Sequence, residues 1–226
     1  MLAIAALGVL LYAAAAHFAS FSYEVFPSSH DYLLDAYRQA AYMTVYWVSD
    51  ILAIVFILIA YRQLSADVRP DLGWRPSRPL WYVGALAMGV VLYFVNSAIV
   101  DTFRSFGIHG FSVFSEFRHP SVAVACLLLL QVGFVSPVLQ EIVFRGWLFS
   151  GLRRAMPAAP AVIVSAAVFS LMHARSGLPT LTHAFLFGVV AAVVFERSRS
   201  IVPSAILHIA VNSISTLVFL TQTMNR

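Results

Sequence analysis

The chain has 226 residues, 61% of them hydrophobic and 11% charged, and a net charge of +4. Soluble domains run at about 45–50% apolar and about 25% charged, so this composition excludes a soluble globular or disordered chain and predicts an all-α polytopic membrane protein. All 14 basic residues are arginine. They lie scattered between apolar stretches, which argues against a nucleic-acid partner.

In chain order, apolar stretches predict about seven spans, at 2–22, 39–62, 79–100, 120–151, 158–174, 179–196 and 201–221. The first lacks a basic leading region and runs long, which favours a retained span over a cleaved signal. The stretch 120–151 exceeds one bilayer crossing; Pro137 is expected either to kink it or to break it in two, and a break gives eight spans. Residues 1–119 read as N-terminal spans and loops, and 120–226 as the core that carries chemistry, within one integral membrane domain. The segments 65–79 and 102–120 read as connecting loops. The single Cys126 excludes an intramolecular disulfide and is expected to be a packing residue.

Arginine placement orients the bundle. Loops 62–78, 153–154 and 197–199 hold eight arginines, against five on the opposite side, which predicts a cytoplasmic location for the first set.

The spans also hold polar groups that are costly at such depth. A charge at the bilayer centre costs roughly 2.5–3.5 kcal/mol on insertion scales. Gln140, Glu141 and Arg145 lie on the fourth predicted span, Phe169 and His173 on the fifth, His208 and Asn212 on the seventh. A rise of about 1.5 Å per residue puts Glu141 roughly 18 Å, His173 roughly 22 Å and His208 roughly 12 Å from the cytoplasmic ends. All three depths fall inside the apolar core, so the groups can meet. Glu141 and Arg145 are four residues apart and share a helix face, as do His208 and Asn212. The first pair can form an ion pair; in the second, Asn212 can orient His208 or hold a water. Taken singly, any of these residues can be membrane-helix glue. Together on three spans they point to chemistry inside the membrane. His183, early in the sixth span, is expected to pack or to hydrogen-bond at the interface.

No His-Glu-x-x-His zinc helix and no Gly-x-Ser-x-Gly elbow is present. Glu141, His173 and His208 are types that could bind zinc together, but the spacing does not demand it. No cofactor is expected.

At these residues the chain resembles the CAAX protease and bacteriocin-processing family, the glutamic-type intramembrane endopeptidases. That family carries Glu-Glu-x-x-x-Arg, then Phe-x-x-x-His, then His-x-x-x-Asn two helices later. Glu141 and Arg145 match the first motif, Phe169 and His173 the second, His208 and Asn212 the third, over roughly 120–215. The resemblance implies water attack on a peptide bond near the C-terminus of a membrane-tethered protein or peptide, with the lipid bilayer as setting. It implies that the residue at 140 and His173 activate water, that His208 and Asn212 hold the oxyanion, and that Glu141 and Arg145 order the site. Gln140 stands where the family has its first glutamate. An amide cannot take up a proton near neutral pH, so catalytic impairment is expected. Three explanations compete: an inactivated variant, a non-catalytic relative, or a branch that uses Glu141 as base. The alternatives to a glutamic-type protease are a membrane scaffold or immunity protein binding a peptide in the same cavity, and a zinc-dependent protease. The short loops point to a prokaryotic inner membrane.

Overall fold

The computed structural model describes residues 32–64, 71–112, 114, 117 and 120–224. The predicted first span, 2–22, lies outside the described residues. Within them there is helix and no strand, as the composition demands of a chain that must satisfy its backbone inside lipid. We number the helices α1 (Tyr32–Gln63), α2 (Pro79–Ser105), α3 (Val122–Ala155), α4 (Ala158–Leu171), α5 (Gly177–Ser198) and α6 (Ile201–Met224). The starts follow local chemistry. Pro79 opens α2 after an extended Arg78. The Ser121 hydroxyl accepts from the Val124 amide at 3.3 Å and caps α3.

Five helices among the described residues are long and apolar enough to cross a membrane, against the seven or eight spans expected over the whole chain, of which 2–22 is not described. Part of the difference is α4. It has 14 residues, about 21 Å of helix against a hydrocarbon core of about 30 Å. The predicted span 158–174 ends early because His173 turns the chain. Its backbone N–H donates to Ser170 O at 2.8 Å, and its ring Nδ1–H donates to Phe169 O at 3.0 Å. The Phe169 carbonyl thereby keeps a donor where the helix stops.

Of the two outcomes open at Pro137, a kink or a break, the break does not occur. Helix α3 runs through it as Val122–Ala155, but it widens to π geometry at Leu129–Val135 and at Ile142–Phe149. Proline has no N–H, so the carbonyls four and five residues earlier, Gly133 and Val132, lose a backbone donor. Helix α6 supplies both. Ser213 Oγ donates to Gly133 O at 3.2 Å and Asn212 Nδ2 to Val132 O at 3.0 Å. Neighbouring polar side chains re-satisfy the freed backbone, and the helix continues without breaking.

The core lies between α3, α4, α5 and α6, around Phe144, Phe149, Phe169, Phe187 and Leu207. Helices α4 and α5 approach closely through small residues. A Cβ on Gly188 would come within 2.9 Å of the Ala166 Cα, so only glycine permits this spacing. Outward faces carry exposed Leu80, Val83, Phe94 and Leu171, as a lipid-facing surface requires.

Helix α1 joins α3 through a buried polar cluster. Asp50 Oδ2 accepts from Gln131 Nε2 and, at 3.1 Å, from Ser136 Oγ. Interhelical hydrogen bonds in membranes average about 0.6 kcal/mol and reach about 1.7. Asp50→Ala removes two and leaves Gln131 Nε2 with only Ser136 Oγ at 3.3 Å, so a loss of roughly 1–2 kcal/mol is expected in a denaturant titration of the micelle-embedded protein. No change in midpoint would mean that the cluster does not hold α1.

Candidate active site

The site is built where the two π segments of α3 flank Ser136–Glu141. Wide turns of this kind shift the register of the residues they flank and recur at functional sites. Glu141 is 0% and Arg145 1% exposed. Glu141 Oε1 lies 3.0 Å from Arg145 Nη1 in an ion pair and accepts from His208 Nδ1 at 2.8 Å. One carboxylate oxygen therefore ties α3 to α6. Arg145 Nη2 donates to Gly188 O at 3.3 Å, which adds α5 to the cluster.

Two phenylalanine rings wall this charge. The Arg145 guanidinium lies 4.8 Å from the Phe169 ring centre and 5.5 Å from that of Phe187. A desolvated cation over an aromatic face is attracted by the ring quadrupole. The Phe169 ring also lies 5.0 Å from His173 and 5.8 Å from His208, centre to centre. Phe187 packs on His208 at 4.3 Å. Phe169 is the spacer around which Arg145, His173 and His208 are set, which gives physical content to its place in the second motif.

Of the residues singled out from sequence, Glu141, Arg145, Phe169 and His208 are buried together, while Gln140, His173 and Asn212 are half-buried at the edge of the same region. Two expected pairings are revised. Glu141 bonds His208 as well as Arg145. Asn212 donates to the proline-freed carbonyl of Val132, and Glu141, not Asn212, orients the His208 Nδ1 edge.

Sequence reasoning missed Phe187 and Gly188, because a phenylalanine and a glycine on an apolar helix carry no signal of a buried arginine nearby. His183 was expected to pack or to hydrogen-bond. His183 bonds the Leu92 backbone and lies within electrostatic reach of both His173 and His208.

The tautomers follow from these bonds. Carbonyl and carboxylate oxygens only accept, so Nδ1 carries the hydrogen in His173 and in His208. In the neutral rings Nε2 is then the lone-pair atom, able to take a proton. Among the described residues no three His, Cys, Asp or Glu side chains are grouped to hold a metal ion. A cavity of about 180 Å³, lined among others by Arg104, His109, Ser112 and Thr180, opens beside the turn that follows His173.

Residues 122–214 match the family described as type II CAAX prenyl endopeptidase Rce1-like. The match takes in all three motifs and agrees with the resemblance they carry. No curated protein and no solved structure matches the chain.

Proposed function

We propose that this chain is an intramembrane endopeptidase that acts near the C-terminus of a membrane-tethered protein or peptide, and that Gln140 leaves it catalytically impaired. The observation that carries the reading is the buried Glu141–Arg145–His208 cluster beside the half-buried His173 ring, inside the segment that matches a CAAX-type endopeptidase. A cluster of this cost persists in lipid where it performs work beyond packing.

In the proposed reaction a water is placed between position 140 and His173 Nε2. With a carboxylate at 140, the water loses its proton there and its oxygen adds to the scissile carbonyl. The developing oxyanion is met by His208 and Asn212. His208 offers an Nε2–H only as the imidazolium, because its Nδ1–H is committed to Glu141, and that carboxylate supports the cationic ring. Asn212 uses one amide hydrogen on Val132 O and keeps the second for the oxyanion. The proton passes to the leaving amine, and two peptides depart without a covalent intermediate. Substrate reaches this depth laterally between helices or through the loop-lined cavity at 108–112 and 179–180.

Gln140 also favours a second reading, a non-catalytic membrane scaffold or immunity protein that binds a peptide in the same cavity.

The test follows C-terminal peptides of membrane proteins by mass spectrometry in cells that carry Gln140→Glu, with and without His173→Ala or His208→Ala. Cleavage by the single variant, lost in both doubles at equal protein level, supports the protease. Absence of cleavage in every strain moves the binding reading ahead.

A further inference from the structure

At the end of the bundle opposite the His173 turn, the segment 71–78 lies across the ends of α3, α5 and α6. It is held there at several points. Ile201 N–H donates to Gly73 O at 2.9 Å, Ser200 Oγ to Arg75 O at 2.5 Å, and Ser150 Oγ to Asp71 O at 3.2 Å. Gly73 has φ +67°, and a Cβ there would lie 2.6 Å from the Phe195 ring, so only glycine lets the segment seat this closely. The fold thus gathers the three arginine-bearing loops that sequence placed on one membrane side.

Between them is a cavity of about 170 Å³ with four arginines (Arg75, Arg153, Arg154 and Arg199) and two acids (Asp71 and Glu196) in its walls. Phe149 and Phe195, ring centres 5.9 Å apart, add an apolar floor. The acids cannot balance the cations. Glu196 is forked by Arg153 at 3.2 Å through both Nε and Nη2, and Arg199 reaches it only at 3.8 Å while 74% exposed. Asp71 is paired with Arg75. Burial alone would raise the Asp71 carboxyl, yet the Gly73 amide, Arg75 and the charge of Arg154 hold it below the usual carboxylate range. Counted over its described lining residues, the cavity therefore has a surplus of positive charge, with a fixed backbone rim and an apolar base. Trp74, 68% exposed beside it, is the residue type that settles at a membrane–water interface.

We propose that this cavity binds a phosphate group, and that the phosphate is the headgroup of an anionic phospholipid in the adjoining leaflet. Guanidinium forks match phosphate oxygens in geometry. Basic pockets between membrane helices on the cytoplasmic side suit such headgroups. An acyl chain is then free to run down the exposed apolar faces, and the bound lipid braces the 71–78 segment against α3 and α5.

The experiment incorporates the full chain in nanodiscs of equal phosphatidylglycerol and phosphatidylcholine and counts the lipids retained by native mass spectrometry. Retained phosphatidylglycerol is expected on the parent chain. The double variant Arg154→Gln/Arg199→Gln should weaken it about 25-fold, taking about five-fold for each arginine near an anionic surface. Arg78→Gln/Arg197→Gln, which alters exposed arginines on the same side but outside the cavity, should weaken it far less, because these side chains do not line the cavity. Equal losses in the two doubles would reduce the effect to a diffuse surface field and overturn the site. Retention of both lipids alike would overturn it too. Displacement of the lipid by inorganic phosphate at millimolar concentration would assign the cavity to a free anion and overturn the lipid.

Discussion

Replacing Gln140 with glutamate is expected to raise C-terminal cleavage by about 10²–10⁴-fold, the usual contribution of a positioned general base. The change exchanges one amide for a carboxylate of nearly the same shape on a half-buried helical position, so packing is hardly disturbed and the gain reports chemistry. The alternative proton acceptors are already engaged. Glu141 Oε1 is shared by Arg145 and His208. A full ion pair is a poor base, because taking a proton would leave Arg145 buried without its counter-charge. His173 keeps a lone pair at Nε2 through its Nδ1–H bond to Phe169 O, but without a carboxylate beside it the imidazolium formed on proton uptake is unsupported. The measurement is a time course of C-terminal peptides in membranes holding equal amounts of the two forms. Equal cleavage rates would mean that His208, backed by Glu141 in a carboxylate–imidazole pair, is the base in this chain, and the role proposed for position 140 would fall.

Much of this arrangement was legible before any coordinates. Composition fixed the class, and the polar residues inside apolar stretches marked α3, α4 and α6 as the helices that matter. Spacing by four residues put Glu141 beside Arg145, and the ion pair is there. Spacing did not reveal that the Glu141 carboxylate turns to His208, because period alone cannot say which helices face each other. The length of α4 was overestimated for a related reason. Hydropathy continues through Leu171 and Met172, and nothing in a hydropathy pattern says that a histidine will bond back to the carbonyl four residues before it and end the helix. Pro137 alone does not decide between two outcomes. A proline in a long apolar run reads as a kink or a break, and the cure sits 75 residues later in Asn212 and Ser213, whose side chains donate to the carbonyls it frees. Asn212 matches a motif of the resembled family by sequence and repairs a helix by structure. Those roles are compatible, because an amide has two hydrogens.

The second large effect concerns the buried pair itself. Glu141→Gln is expected to destabilise the chain by about 3–5 kcal/mol, because it leaves a charged Arg145 in the interior without its partner. Arg145→Met should cost about as much by the reverse argument, with the Glu141 carboxylate left to His208 alone. The double variant Glu141→Gln/Arg145→Met removes both charges and should recover most of the loss, since methionine fills the space between Phe169 and Phe187 with apolar volume and soft contacts to the rings. Unfolding midpoints of the four forms in micelles give the coupling directly. Additive losses would mean that the two charges do not depend on each other, against the 3.0 Å contact that joins them. The same four forms, each carried on Gln140→Glu, then separate stability from chemistry. If the pair is only membrane-helix glue, the recovered double variant should cleave as fast as Gln140→Glu alone. If the carboxylate serves His208, the double variant will fold and still fail to cleave, because an imidazolium with no anion at its Nδ1 edge cannot be held in an apolar site.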